Sequence, residues 1–332
     1  MSETRRTAEI SEELDGSRFD RALAQLFPEF SRSRLKSWIL DGRATLDGEK
    51  VQPRQKTKLG QSVELEAEAD EVTTALPEPM EMEFAYEDEH LLVLNKPAGL
   101  VVHPGAGNSN GTLVNGLLAY DSTLAVLPRA GLIHRLDKDT SGLLMIARTL
   151  EAHTQLVRAL EAREISREYR AVCLGRLAAG GSVDAPIGRH PTQRTKMAVN
   201  HAGKPAVTHY RVLARFEKFT FIACRLETGR THQIRVHMAH VKHPLTGDPV
   251  YSGRLATPAG ASTELQQMLR SFKRQALHAS RLVLNHPITG VRIELQSDLP
   301  DDLVKLLRLL GDGKYTAAEL NQMAWPEVAE SQ

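Results

Sequence analysis

The sequence lacks the features that mark secreted, disulfide-bonded and membrane-spanning proteins. It contains two cysteines in 332 residues, Cys173 and Cys224, and both lie in apolar runs that are typical of strands. Such cysteines are usually buried thiols, so we predict neither a disulfide nor a catalytic cysteine. No apolar run approaches the roughly 20 residues of a membrane span, and residues 1–15 contain no apolar signal-peptide core. We therefore expect a cytoplasmic protein without a membrane partner.

The chain also has almost no net charge, +1, but its charged residues are distributed unevenly. Residues 18–58 contain ten lysines and arginines against five acidic residues. Residues 64–89 contain eleven acidic residues and neither lysine nor arginine. Because a basic segment can bind phosphate whatever the whole chain sums to, the first segment is compatible with a nucleic-acid partner.

A chain of this length can form two domains, and its pattern indicates two. Residues 1–15 are polar and are predicted to be flexible. Residues 16–65 combine two amphipathic helical patterns with short strand patterns, which predicts a small α/β domain. Residues 66–80 are acidic and contain two prolines, as expected of a linker. Residues 81–310 form a second, larger domain, and residues 311–332 are predicted to be a loosely held tail.

The larger domain consists mainly of strand patterns, with few helical ones. Strands are predicted at 84–86, 91–95, 143–147, 166–174, 206–214, 220–227, 276–284 and 291–295. Helices are predicted at 112–120, 150–163, 232–241 and 301–310. Long strands with segregated helices are typical of an α+β fold rather than of a doubly wound one.

One carboxylate in this domain is surrounded by cationic side chains. Asp137 lies between Arg135 and Lys138 and close to His134, after a glycine-marked turn and before an apolar run. Nearby positive charge favours an ionised carboxylate, which suits a nucleophile or a base better than a general acid. The alternative is a loop aspartate that caps the next element and forms salt bridges.

Residues 129–144 resemble the catalytic motif of the RluA/RluD family of pseudouridine synthases, in which His-Arg-Leu-Asp precedes a glycine-containing turn. The resemblance extends over residues 84–300 and includes ordered motifs at 94–104, 167–171 and 226–237. It implies a mixed, mostly antiparallel sheet with a central cleft, and an enzyme that isomerises uridine in RNA to pseudouridine. Because this isomerisation needs no redox change and no external donor, no cofactor is implied.

The resemblance also implies catalytic roles for three residues. Asp137 would act on the ribose, either by attacking the anomeric carbon or by removing the neighbouring ribose proton, and both routes stay open. Tyr169 would stack on the target uracil and help to remove the proton from carbon 5, although a strand tyrosine is otherwise a packing residue. Arg235 would form an ion pair with Asp137.

Further residues are implied to contact the substrate around the catalytic aspartate. Arg135 would occupy the space left by the flipped base or contact a phosphate. Leu226 and Ile234 would form the apolar wall around the base. Arg230 is expected at the rim of the cleft, and His134 beside the substrate.

Two basic segments are candidate contacts to RNA. Residues 16–65 resemble the small RNA-binding domain of ribosomal protein S-four, and residues 189–196 form a basic loop between strands. The candidate side chains in these segments are Arg32, Arg34, Lys36, Arg189, Arg194 and Lys196. Basic surfaces that face only solvent are the alternative for both.

Segments at 104–108, 243–251 and 258–279 resemble the family members that modify large-subunit ribosomal RNA. They imply ribosomal RNA or a large-subunit precursor particle as the partner, and uridines of the helix 69 stem-loop as the target. We expect the protein to be a monomer. The alternatives are the same chemistry at another ribosomal RNA site, a non-catalytic RNA-binding assembly factor, and a metal-dependent hydrolase.

The hydrolase alternative depends on three histidines, His237, His240 and His243. Their spacing of three and three differs from the helical zinc signature, which places two histidines four residues apart with a glutamate beside the first. We therefore predict that no metal is bound.

Overall fold

The computed structural model describes residues 4–27, 30, 32–67, 75–105, 108, 110–193, 196–253 and 257–325, and the chain divides into two units at residue 75. None of the described helices is long and apolar enough to cross a membrane.

The N-terminal unit has two helices and a four-stranded antiparallel sheet. Its elements are β1 (Thr4–Glu9), α1 (Phe19–Leu26), α2 (Arg32–Asp41), β2 (Ala44–Leu46), β3 (Glu49–Lys50) and β4 (Ser62–Ala67), and the strand order is β1-β4-β2-β3. Apolar residues at helical spacing, including Phe19, Leu23 and Leu35, join Val63 and Leu65 of β4 in one buried cluster. The predicted small helix-and-strand domain therefore has its own core.

The first residues of this unit correct the prediction of a flexible segment. β1 pairs with β4 in antiparallel register from Thr4–Ala67 to Glu9–Ser62. Ile10 and Leu14, which follow β1, are 1% and 5% exposed. The strand is polar in sequence and is stabilised by hydrogen bonds to a partner more than 50 residues away. Local polarity therefore could not reveal it.

The larger unit is built on a nine-stranded sheet. The strands of the larger unit, including two outside this sheet, are β5 (Phe84–Glu87), β6 (Leu91–Lys96), β7 (Ser141–Ala147), β8 (Ser166–Leu174), β9 (Gly181–Asp184), β10 (Ile187–Arg189), β11 (Met197–Val199), β12 (Val207–Arg215), β13 (Phe219–Leu226), β14 (Leu277–Asn285) and β15 (Arg292–Gln296). Its helices are α3 (Leu113–Tyr120), α4 (Leu150–Glu161), α5 (Gln233–His240), α6 (Thr263–Ser271), α7 (Asp301–Leu310) and α8 (Ala317–Gln322).

The order of the sheet is β5-β6-β7-β14-β8-β13-β12-β9, with β15 paired to β14. Only β7 and β14 pair in parallel among its described ladders. β10 and β11 form a separate antiparallel hairpin. The predicted α+β class with a mixed, mostly antiparallel sheet is confirmed.

The central strand β8 separates two cores because successive side chains of a strand point to opposite faces. Tyr169, Ala171 and Cys173 pack in a cluster with α3 and α5. Val172 and Leu174 pack in a second cluster with α6, α7 and α8. Cys173 and Cys224 are both free and buried, as predicted. The faces of β8 therefore have different neighbours, and Tyr169 belongs to the α3 and α5 side.

The C-terminal residues correct the prediction of a loosely held tail. A capping box between Thr316 and Glu319 starts α8, and Leu320 is fully buried in the second core cluster. The guanidinium carbons of Arg211 and Arg225 lie 5.2 and 4.5 Å from the Trp325 ring. Residues 311–325 are thus held to the larger unit through Leu320, Tyr315 and Met323, although their sequence is mostly polar, and residues 326–332 lie outside the described residues.

The predicted acidic linker, residues 66–80, is only partly described. Residues 68–74 lie outside the described residues. Ala75 packs against the α3 and α5 core cluster, and Glu78 accepts a hydrogen bond of 2.9 Å from the amide of Gly111. The segment from Ala75 onward therefore belongs to the larger unit.

Candidate active site

A cavity of about 1000 Å³ opens on the α3 and α5 side of the larger unit. It is lined by residues from the stretches 101–105, 129–140, 160–169 and 226–235. This site cavity brings together most of the residues predicted to act on the substrate: His134, Arg135, Asp137, Tyr169, Leu226, Arg230, Ile234 and Arg235.

Asp137 lies on an irregular segment that passes close to β7. Just before it, Gly131 has a φ of 79°, and a Cβ atom there would lie 2.0 Å from the carbonyl oxygen of Ala147. Only glycine allows this approach, because any side chain would collide with the backbone of β7. Leu132 then forms a bridge to Ile146. The chain is therefore held against β7 five residues before the carboxylate.

Lys96 holds the other side of the same segment. Its side chain is 1% exposed, and its Nζ donates hydrogen bonds of 2.8–2.9 Å to the carbonyl oxygens of Pro97, Leu100 and Lys138. Burial lowers the pKa of Lys96 to about 8, and nearby carboxylates oppose that shift. The sequence motifs do not identify this lysine as a site residue, and the only local signal is its position at the end of an apolar strand.

Asp137 is paired with Arg235, as the resemblance implied. The Nη1 of Arg235 donates a hydrogen bond of 2.9 Å to Oδ2 of Asp137. Its Nε and Nη2 bind the two oxygens of Asp248 at 2.7 and 3.0 Å. The Asp248 side chain is fully buried, whereas Asp137 is 17% exposed. Because Asp248 occupies two donors of Arg235, the guanidinium has one orientation, and its remaining edge faces Asp137.

His232 contacts the second oxygen of Asp137 and was also not identified from the sequence. Its backbone is left-handed, with a φ of 58°, and its Nε2 lies 3.8 Å from Oδ1 of Asp137. The hydroxyl of Tyr251 accepts from the amide of Met197 and lies 2.9 Å from Nδ1 of His232. The Tyr251 hydroxyl therefore holds the imidazole of His232 in place beside Asp137. Burial lowers the pKa of His232 and favours its neutral form.

Tyr169 lies on the wall of the site cavity and is 5% exposed. Burial raises the pKa of Tyr169, so its phenol is neutral. Ile234 is 3% exposed and Leu226 is half-buried, and both belong to the same apolar cluster as Tyr169. This part of the cavity therefore offers an aromatic ring and aliphatic groups to a ligand.

His134 has a different environment from the other predicted contacts. Its Nε2 accepts a hydrogen bond of 3.2 Å from the amide of Met145 on β7, and its Nδ1 is buried without a partner among the described residues. Burial lowers the pKa of His134 to about 3. The ring is therefore neutral and carries its proton on Nδ1.

Two predicted arginines lie toward the opening of the site cavity. Arg135 is exposed. Arg230 is half-buried, and its Nε donates a hydrogen bond of 3.1 Å to the carbonyl oxygen of Pro205. Both positions agree with contacts to the parts of a substrate that stay near the surface.

Arg189 and Lys196 of the predicted basic loop are not among the residues that line the site cavity. Arg189 is exposed and Lys196 is half-buried on the β10–β11 hairpin, and Lys36 is exposed on α2. Arg194 and the side chains of Arg32 and Arg34 lie outside the described residues. The hairpin is joined to the site by the hydrogen bond from Met197 to Tyr251.

The three histidines that suggested a metal do not converge. Both ring nitrogens of His237 have protein partners, Thr208 Oγ1 and the carbonyl oxygen of Ala185, each at 2.9 Å. Nδ1 of His243 lies 2.9 Å from the carbonyl oxygen of Leu174. Within the described part of the chain, no group of three or more histidine, cysteine or acidic residues could hold a metal ion.

The site cavity thus combines an aspartate held by an arginine with a tyrosine and an apolar wall, an arrangement that fits an enzyme acting on RNA nucleosides. The chain belongs to the RNA pseudouridylate synthase family, whose model matches residues 90–240. It is therefore an RNA pseudouridine synthase.

The relatives support this assignment over nearly the whole chain. The sequence is 57% identical over 305 residues to ribosomal large subunit pseudouridine synthase D of Pseudomonas aeruginosa. The aligned region covers 92% of this chain and 95% of the relative. The chain is 52% identical over 305 residues to the protein of the same name from Escherichia coli K12, which covers 92% and 94%. Among solved structures, human RNA pseudouridylate synthase domain containing 4 is 28% identical, with a TM-score of 0.54, and covers 69% of this chain and 92% of the human chain.

Proposed function

We propose that the protein converts uridines of large-subunit (23S) ribosomal RNA to pseudouridine, and that its target is the helix 69 stem-loop. The proposed reaction is supported by the hydrogen bonds that join Asp137, Arg235 and Asp248 at the site cavity. The ribosomal target is supported by the names of relatives that are 52–57% identical. Helix 69 is supported by the resemblance of residues 104–108, 243–251 and 258–279.

The reaction rearranges one nucleoside without a co-reactant. The bond from N1 of uracil to C1′ of ribose breaks, and its electron pair stays with the base. The base turns, C5 bonds to C1′, the proton of C5 leaves and N1 gains one. Atoms and electrons balance within the nucleotide and water, so the chemistry needs no cofactor.

Asp137 carries the step at the ribose. An ionised carboxylate is needed both for attack on C1′ and for removal of the neighbouring ribose proton. The hydrogen bond from Arg235 fixes the orientation of this carboxylate, and Asp248 keeps the guanidinium in place. The other oxygen, Oδ1, stays free of hydrogen bonds from the described residues and is available to the sugar.

The base occupies the part of the cavity that Tyr169, Leu226 and Ile234 line. Flipping a uridine out of a loop costs a few kcal/mol, which stacking and apolar contact with the base can offset. Arg135, exposed at the opening, takes the space that the base leaves in the RNA or contacts a phosphate. Tyr169 stacks on the uracil and assists removal of the C5 proton.

RNA outside the active site is bound by the basic segments. Arg32, Arg34 and Lys36 of residues 16–65 and Arg189, Arg194 and Lys196 of residues 189–196 contact phosphates, which position the RNA without reading its sequence. The protein acts as a monomer in the cytoplasm, on ribosomal RNA or a large-subunit precursor particle.

Two measurements test this function. The purified protein should release tritium from a helix 69 stem-loop that carries uridine tritiated at carbon 5, with or without chelator. Ribosomal RNA from a deletion strain should lack the pseudouridines of helix 69, and a plasmid copy should restore them. Retained marks in the deletion strain would remove helix 69 as the target. Binding of the stem-loop without tritium release would indicate an assembly factor, and loss of activity with chelator a metal-dependent enzyme.

A further inference from the structure

One cation on the wall of the site cavity has no partner among the residues that the structure describes. Arg167 is 6% exposed, at the start of β8. Its Nε is buried without a hydrogen bond, and none of the described residues forms an ion pair with its guanidinium. Buried arginines are otherwise paired, because an unpaired charge loses its hydration without compensation. An acceptor from outside the chain would supply that compensation.

The residues around Arg167 leave room for its guanidinium without supplying a hydrogen-bond acceptor. A Cβ atom on Gly229 would lie 2.9 Å from Nη1 of Arg167, so the absence of a side chain at 229 makes room for the guanidinium. His134 also lines the cavity, and its Nδ1–H is a second buried donor without a partner. Two donors cannot satisfy each other, so both remain available to an acceptor that enters the cavity.

Arg167 shares a strand face with Tyr169, because the two residues are two positions apart on β8. Both residues line the site cavity, and while burial raises the pKa of Tyr169, the Arg167 guanidinium opposes part of that rise. A base stacked on Tyr169 would therefore lie within the field of this cation.

We propose that Arg167 binds a carbonyl oxygen of the flipped uracil and stabilises the negative charge that the base carries once the N1–C1′ bond has broken. The inference rests on the proposed function. The charge is the electron pair of the broken bond, delocalised onto the uracil oxygens, and it is consumed when C5 bonds to C1′. A base, rather than a phosphate, fits because a phosphodiester is strongly hydrated and stays near the opening, whereas Arg167 is almost completely buried.

The contact is tested by removing the base and keeping the phosphate. In an Asp137→Asn background, which prevents turnover, the affinity of the stem-loop is measured with uridine or with an abasic ribose at the target position. Arg167→Gln should weaken binding of the uridine RNA about tenfold, as expected for a lost charged hydrogen bond, and leave the abasic RNA unchanged. Equal weakening of both RNAs would indicate a phosphate contact and overturn the proposal, as would no weakening of either.

Charge stabilisation is tested by the rate of the reaction itself. With Asp137 intact, Arg167→Gln should lower the single-turnover rate about 100-fold at saturating enzyme, and Arg167→Lys should recover part of the loss because it restores a positive charge. Arg292→Gln, which removes an exposed arginine on β15, is the matched control and should keep the wild-type rate. A glutamine variant with the wild-type rate would contradict the role.

A structural role predicts a different result in thermal unfolding. Because Arg167 has no partner within the described residues, Arg167→Gln and Arg167→Met should keep or raise the melting temperature. A fall of several degrees in both variants would show that the arginine supports the fold and would overturn the proposal. Failure of wild-type protein to release tritium would instead overturn the proposed function, because the binding comparison requires no turnover.

Discussion

Arg167 and Arg170 lie three residues apart on the same strand and are equally buried, at 6% exposure each. Strand alternation places them on opposite faces of the sheet. Arg170 forms an ion pair with Glu168, whereas Arg167 has no partner among the described residues and lines the site cavity. Burial alone therefore does not distinguish a structural cation from one that is available to a substrate. The hydrogen-bond partners of the side chain make this distinction.

Two carboxylates, Glu168 on the Arg170 face of β8 and Asp137 in the site cavity, differ in the same way. Glu168 is 1% exposed and also contacts Arg225 at 3.1 Å and Arg281 at 3.9 Å. Asp137 is 17% exposed and accepts one hydrogen bond, from Arg235. On one face the charges are compensated within the protein. In the site cavity the charges of Asp137 and Arg167 are compensated only in part within the described residues, and both side chains line the cavity.

The largest effect should come from the incompletely paired carboxylate. Asp137→Asn should lower tritium release at least about 1000-fold, because an amide can neither attack C1′ nor accept a ribose proton. Affinity for the stem-loop should be nearly unchanged. The single-turnover assay checks this, with Asp139→Asn as a control two residues away. A variant with substantial activity would remove Asp137 from the mechanism.

Substitutions in the Arg170–Glu168 ion pair should instead lower the stability of the protein. Arg170→Gln should lower the free energy of unfolding by about 3 kcal/mol, because it leaves part of the buried Glu168 charge unpaired. Urea unfolding measures the loss, and removing Glu168 in the same protein should recover part of it. Arg167→Met should cause no such loss. If the two arginine variants were equally destabilised, the contrast between the faces would be wrong.

Asp248 lies between these cases, because it is fully buried but acts through Arg235. Asp248→Asn should lower the single-turnover rate about 100-fold, because Arg235 loses the bidentate partner that orients it toward Asp137. The Kd for RNA should change little. Asp121→Asn is the matched control, because Asp121 also accepts two hydrogen bonds from one arginine, Arg148, but outside the site cavity. It should affect stability without slowing the reaction.

The smallest expected effect concerns a buried group that is satisfied as a neutral ring. Burial lowers the pKa of His278 to about 4, and its ring lies 3.0 Å from the hydroxyl of Ser141 and 3.1 Å from the carbonyl oxygen of Ser297. Between this value and the ordinary pKa near 6.5, the unfolded chain binds more protons than the folded one. Stability should therefore fall as the pH is lowered.

From pH 7 to pH 5, His278 should contribute a loss of about 2 kcal/mol to the free energy of unfolding. Urea unfolding at both pH values measures it, and His278→Gln should have a shallower dependence. The dependence would not vanish, because His134 titrates with the same sign. An unchanged slope in the variant would show that His278 protonates equally in both states.

The elements that the sequence predicted well are those whose pattern is local and strong. The predicted bounds of β8, 166–174, and of α7, 301–310, coincide with the observed ones. β1, α6, α8 and the short strands β9, β10 and β11 were not predicted. They are short or polar, and their stability comes from one or two buried residues or from backbone pairing with distant strands.

The same division holds for the site. Ordered motifs predicted Asp137, Tyr169 and Arg235, and the structure places the first and last of these in hydrogen-bond contact. Lys96, His232 and Asp248 were not identified, because their importance depends on which groups surround them after folding. Nothing in the local sequence distinguishes a lysine that joins three carbonyl groups from a solvated one.

By itself, the sequence determined the long apolar strands of the larger sheet, the α+β class and the motif that contains the proposed reactive carboxylate, since these follow from residue type and spacing along the chain. Only the tertiary structure decided which charges are neutralised within the protein and which remain open to a ligand. The physical reason is that desolvation and hydrogen-bond partners depend on residues distant in sequence, so two arginines of one strand can have the same burial and opposite functions.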